Sequence, residues 1–137
     1  MGKMLDEELK TMILDHMEKG FLENITDMFK HDESLFPLII DMLKDERMRV
    51  RLGATALVEE LIKRKPEPLA RLIPAIAALL KDENPNVRGD GANLLGIIGH
   101  TDALPFLANA GNDEDQNVQE IVRDAVQNII SIVPVEN

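Results

Sequence analysis

Several residue types are missing from the 137-residue sequence, and their absence limits the reactions and ligands that the protein can support. Cysteine, tryptophan and tyrosine do not occur, and phenylalanine occurs four times. The lack of cysteine excludes disulfides, thiolate nucleophiles and cysteine-ligated zinc. The scarcity of aromatic rings removes the stacking platforms on which unpaired bases bind. No apolar run approaches the roughly 18 residues of a transmembrane helix, so we expect no membrane partner.

The charge is strongly acidic and unevenly distributed. Fifteen basic and 25 acidic residues give a net charge of −10 at pH 7, the reverse of a nucleic-acid-binding footprint. Only the segment 44–71 is net positive, at +3. The N-terminus turns acidic at Asp6–Glu8, where a signal peptide would be apolar. We therefore expect a cytoplasmic location and no nucleic-acid partner.

Apolar residues recur with helical spacing along nearly the whole chain. Leu5, Leu9, Met12 and Met17 form one stripe of a first helix, which Gly20 would end. A second, shorter helix fits residues 21–31. Because no segment alternates apolar and polar residues in the manner of a strand, the pattern predicts an all-α chain.

A pattern repeats three times after residue 33. A proline is followed after eight residues by Asp-Glu, and a valine lies five residues beyond the aspartate. The copies are Pro37, Asp45, Val50; Pro74, Asp82, Val87; and Pro105, Asp113, Val118. Each copy predicts a helix A, a loop at Asp-Glu and a helix B, with A helices at 35–44, 69–81 and 103–110 and B helices at 47–64, 85–98 and 115–132. One such hairpin cannot bury both of its faces, so the pattern indicates stacked pairs.

These motifs resemble HEAT repeats, most closely along Asp82–Gly99, and the 31-residue unit is similar to the phycobilisome-lyase type. The resemblance implies an alpha-alpha superhelix of about eight helices in four antiparallel pairs. We expect a single domain over residues 1–137, in which a capping pair (1–33) precedes repeats at 34–66, 67–101 and 102–133. The resemblance also implies a ladder along the stack, in which motif aspartates pair with the arginines six residues later, either within a repeat or between repeats. Asp45 with Arg51 and Asp82 with Arg88 match this ladder, whereas Asp113 faces Gln119, so we expect the ladder to weaken in the third repeat.

The sequence offers little for catalysis. Its three histidines are never three or four residues apart, so no helical metal pair exists. The glycines around Gly91 lie within a helical pattern rather than between a strand and a helix, which does not fit a phosphate loop. We expect Gly91 and Gly96 to allow close packing of neighbouring helices and Gly99 to end its helix as a C-cap. We therefore expect no catalytic residue, no cofactor and no metal.

The resemblance favours a non-enzymatic protein-interaction or scaffold module, because in such repeats helix B lines the concave side. The outward helix-B positions form a small mixed surface suited to another protein: Arg49, Leu52, Ala56, Asn86, Gly89, Asn93, Asn117, Glu120 and Asp124. Arg47 and Arg49 lie off the apolar stripe within the only positive segment, and we expect them to attract an anionic protein partner.

Two other hypotheses remain open. The chain could be an accessory subunit of an enzyme, as lyase-type HEAT-repeat proteins suggest. Alternatively, it could form homo-oligomers through exposed ends, namely the methionine-rich first helix and the apolar tail Ile129, Ile130, Ile132 and Val133.

Overall fold

The computed structural model describes residues 2–132, with side chains from residue 6 onward. Within these residues all regular structure is helical, and short 3-10 turns cover Glu33–Leu35, Leu79–Lys81 and Thr101–Ala103. The α-helices are α1 Gly2–Glu18, α2 Leu22–His31, α3 Leu38–Leu43, α4 Met48–Leu61, α5 Pro66–Ala70, α6 Ile73–Ala78, α7 Pro85–Ile98, α8 Leu104–Asn109 and α9 Gln116–Ile132. None of these helices combines the length and apolar character needed to cross a membrane. The all-α expectation is confirmed.

Contacts group the chain into two units, Met1–Lys65 and Pro66–Asn137. In unit 1, α4 packs against α1, α2 and α3. Gly20, with φ +93°, reverses the chain between α1 and α2. The sulfur of Met17 lies where a Cβ on residue 53 would stand, because Gly53 leaves that space empty. The first pair is therefore held to helix B of the first repeat through buried apolar side chains.

In unit 2, α7 packs against α6 on one side and α9 on the other. α5 and α6 together occupy the place expected for helix A of the second repeat, with a turn at 71–72 between them. Gly96 faces Ala125 so closely that a Cβ at residue 96 would lie 2.9 Å from the Ala125 Cα. Gly99 ends α7 in the left-handed conformation, and its N–H donates to the Leu95 carbonyl. The expected glycine contact and C-cap are confirmed.

Helix boundaries follow the local capping chemistry. α7 spans the expected residues because the side chain of Asn84 accepts from the Asn86 N–H and Pro85 occupies the first turn. Helix A of the first repeat begins later than expected, at Leu38, because Asp32 caps a preceding 3-10 turn. The ring Nδ1 of His100 accepts from the Asp102 N–H and so caps the next turn, a role the sequence interpretation did not assign.

Candidate functional site

The motif aspartate shapes the loop between helix A and helix B in the same way in all three repeats. Its carboxylate accepts a hydrogen bond from the backbone N–H two residues later, at 2.8 Å for Asp45 and 2.9 Å for Asp82 and Asp113. This is an Asx turn, in which a short carboxylate replaces a backbone acceptor. The repeated aspartate therefore fixes the entrance to each helix B.

The residue six positions after each aspartate closes the same loop. Arg51 donates to the Asp45 carbonyl at 2.8 Å and Arg88 to the Asp82 carbonyl at 2.9 Å. Gln119 donates to the Asp113 carbonyl through its amide Nε2. The pairs expected from the resemblance thus meet through the backbone oxygen of the aspartate. Gln119 keeps this contact although it lacks a charge, because an amide also donates hydrogen bonds.

Arg88 makes a second contact, which joins the second and third repeats. Its Nε donates to Oδ2 of Asp113 at 2.8 Å and its Nη2 donates to Oδ1 at 3.1 Å. Each side chain is only 9% exposed. These hydrogen bonds raise the pKa of Arg88 and hold the pKa of Asp113 below its usual 3.8. The aspartate of one repeat therefore neutralises the buried arginine of the preceding one.

The lowered pKa of Asp113 predicts how the stability of the pair depends on pH. Because the folded pKa lies below the unfolded value, the stabilisation is present above about pH 4 and is lost as pH falls through the folded pKa. Asp113→Asn keeps an oxygen for the Asp115 N–H but removes the charge that Arg88 needs. We expect its melting temperature to lie well below that of the wild type at pH 7, and the gap to close progressively below about pH 4.

Thermal melts across this pH range measure the gap directly. Asp124→Asn is the matched control, because Asp124 is exposed and forms no ion pair within the described residues. A gap for Asp113→Asn that is constant over the whole range would contradict an ionic role for Asp113.

In unit 1, Arg47 is bound by two carboxylates. It donates to Oδ1 of Asp45 at 2.9 Å and to Oδ1 of Asp15 on α1 at 2.8 Å. The hydrogen bond from Arg47 lowers the pKa of Asp45, and the pKa of Arg47 is raised. Arg47 thus ties the motif loop to α1. The sequence interpretation treated it as a partner-binding residue and missed this structural role.

Arg49 and Leu52 are both exposed on α4, as expected of candidate binding residues. Met48, which the sequence interpretation did not select, lies one turn before Leu52. The two side chains are 65% and 62% exposed, the highest values among the large apolar side chains described. Arg49 donates to the Glu18 carbonyl at 3.2 Å at the end of α1. We call Met48, Arg49 and Leu52 the α4 face.

The other selected residues lie on α7 and α9, and Asn86, Asn93, Asn117 and Glu120 are all exposed. Gly89 was expected to face outward but is buried. A Cβ there would lie 3.0 Å from Cδ1 of Ile121, so close packing of α7 on α9 hides this position.

The apolar tail is only partly exposed. Ile129 is fully buried, whereas Ile130 and Ile132 are 58% and 56% exposed. Val133 lies outside the described residues. The structure thus removes Ile129 from the surface that was proposed for self-association.

A family model of HEAT repeats matches residues 37–127, which is about two thirds of the chain. The chain therefore belongs to the HEAT-repeat family, as the three motif loops indicate. The similarity to the lyase type stays a prediction. No curated protein matches the chain. HEAT repeats generally mediate protein–protein interaction or scaffolding, and the family is typically non-catalytic.

Proposed function

We propose that this protein is a non-enzymatic interaction module that binds another protein through the exposed sides of its B helices. The observation that supports this most is the α4 face in unit 1. Large apolar side chains cost free energy in water, and contiguous exposed ones commonly mark interaction sites. Met48 and Leu52 are spaced i, i+4, so they present one continuous apolar strip on α4.

The positive charge of Arg49 beside this strip favours an anionic partner. Arg49 is exposed and is bound to a backbone carbonyl rather than to a carboxylate, so its positive charge is not neutralised by that contact. Arg47, by contrast, is bound by Asp15 and Asp45. Of the two arginines first selected, Arg49 is the one suited to steering an anionic partner.

A pull-down from cell extract tests the α4 face. We expect Leu52→Asp to lower recovery of the partner about fivefold or more, the loss expected when an interface side chain worth roughly 1 kcal/mol is removed. Arg49→Glu should weaken recovery in a salt-dependent manner, because charge steering is screened by salt. Both variants should melt close to the wild type, since the two side chains are exposed.

Ile130→Asp provides the matched control. Ile130 is 58% exposed, similar to the 62% of Leu52, but it lies on α9 in unit 2. If Leu52→Asp and Ile130→Asp reduce recovery equally, general hydrophobicity rather than the α4 face explains the capture. If neither variant changes recovery, the α4 face is not the binding site.

The hypothesis of an accessory enzyme subunit is compatible with this proposal, because such a subunit would also act by binding a protein. Quantitative mass spectrometry of the recovered proteins separates the two. Recovery of one enzyme in a fixed ratio supports the subunit, whereas several unrelated partners support a scaffold.

A further inference from the structure

A groove of about 310 Å³ lies between the two B helices of unit 2. Its floor is apolar or backbone, formed by Gly96, Ile97, Ile121 and Ala125. Both isoleucines are half-buried, so part of each side chain is open to the groove. Asn93, Asp124 and Asn128 complete the lining. The groove therefore combines an apolar floor with polar groups.

The polar groups of the groove include hydrogen-bond acceptors. Asn128 donates its Nδ2 to the Gly96 carbonyl at 2.7 Å, which leaves its own oxygen as an acceptor. The carboxylate of Asp124, and that of Glu120 one turn earlier on α9, form no ion pair or hydrogen bond within the described residues. The Asp124 carboxylate, which lines the groove, is therefore available to a partner.

The unit that contains the groove is rich in negative charge. Residues 66–137 contain four basic and eleven acidic side chains. Of the four basic ones, Arg88 is bound by Asp113, and Arg123 lines a separate groove beside α8. An incoming cation would therefore be attracted and would meet no neighbouring positive charge on the groove lining.

We propose that the α7–α9 groove binds a lysine or arginine side chain presented by a basic segment of a partner protein. The methylene stem would lie on Ile97 and Ile121, while the charged head would donate to Asp124 and the Asn128 oxygen. Glu120, one turn before Asp124 and outside the lining, would add to the negative field. Long basic side chains commonly bury the stem in this way and leave the head among polar groups. The inference rests on the proposed function, since it names the chemistry that one of the B-helix surfaces recognises.

The test uses the full chain and a defined probe, a fluorescent peptide of about twelve residues in which lysine alternates with alanine. We expect Glu120→Gln combined with Asp124→Asn to weaken binding about fivefold, because an ion pair to Asp124 and the neighbouring negative charge of Glu120 are lost. NMR amide shifts on adding the peptide should centre on α7 and α9. A peptide with glutamate in place of lysine should not bind.

A charge-matched control separates the groove from the net charge. Glu67→Gln combined with Glu83→Gln removes the same number of exposed carboxylates from unit 2 but leaves the groove intact. An equal loss of affinity in both double variants would overturn the proposal, as would shifts centred elsewhere. The experiment needs no natural partner, so its outcome is independent of whether the α4 face captures a protein from extract.

Discussion

Replacing Arg88 with alanine lowers the melting temperature by on the order of 10 °C, the largest loss we expect from a single side chain here. The substitution leaves Asp113 as a buried carboxylate without its cation, because both oxygens of Asp113 accept from the Arg88 guanidinium. It also removes the donor to the Asp82 and Glu83 carbonyls, which line the second motif loop. Groups left buried without a partner cost more than the contact itself was worth.

Arg64→Ala is the control for this prediction, because Arg64 is an exposed arginine just after α4. Exposed charges contribute little, so this variant should melt within a degree or two of the wild type. Thermal melts followed by circular dichroism make the comparison. Equal melting temperatures for Arg88→Ala and Arg64→Ala would show that the Arg88–Asp113 pair does not stabilise the fold.

The fold could be predicted from the sequence where local signals decide it. α7 begins and ends at the expected residues because its start is a cap of Asn84 and Pro85 and its end is Gly99. Helix A of the second repeat was less predictable. Its apolar spacing gives a single helix, whereas α5 and α6 are separated by a turn that the pattern does not encode.

The contacts of the site were predictable only in part. The sequence marks the aspartates and the arginines six residues later, and it indicates that each repeat uses them. The arginine could reach either the carboxylate or the backbone carbonyl of the aspartate, and the spacing in the sequence is the same for both. The sequence therefore does not reveal that the carboxylate caps its own loop while the carbonyl accepts from the arginine. The Arg47–Asp15 pair joins residues 32 positions apart, and only the packing of α1 beside the motif loop brings them together.

Substituting Gly96 with valine forces α7 and α9 apart and destabilises the chain by about 1–3 kcal/mol. A Cβ on residue 96 would lie 2.9 Å from the Cα and 3.0 Å from the Cβ of Ala125. The obstructing Cα is a backbone atom, so a side-chain rotation cannot relieve the contact. The Asn128–Gly96 hydrogen bond would also lengthen, since it spans the same two helices.

Gly96→Ala distinguishes close packing from helix propensity. Alanine favours a helix over glycine by about 1 kcal/mol, so propensity alone predicts a more stable protein, whereas the contact with Ala125 predicts a less stable one. Gly111→Ala controls only for the effect of an added Cβ on the unfolded chain, because Gly111 is exposed in the turn after α8 and its added Cβ would lie 3.4 Å from the Ala108 carbonyl oxygen. We expect that control to be neutral or slightly stabilising, since it restricts the unfolded chain. Urea titrations of the three variants measure the differences. A Gly96→Ala protein more stable than the wild type would show that the contact with Ala125 does not outweigh helix propensity.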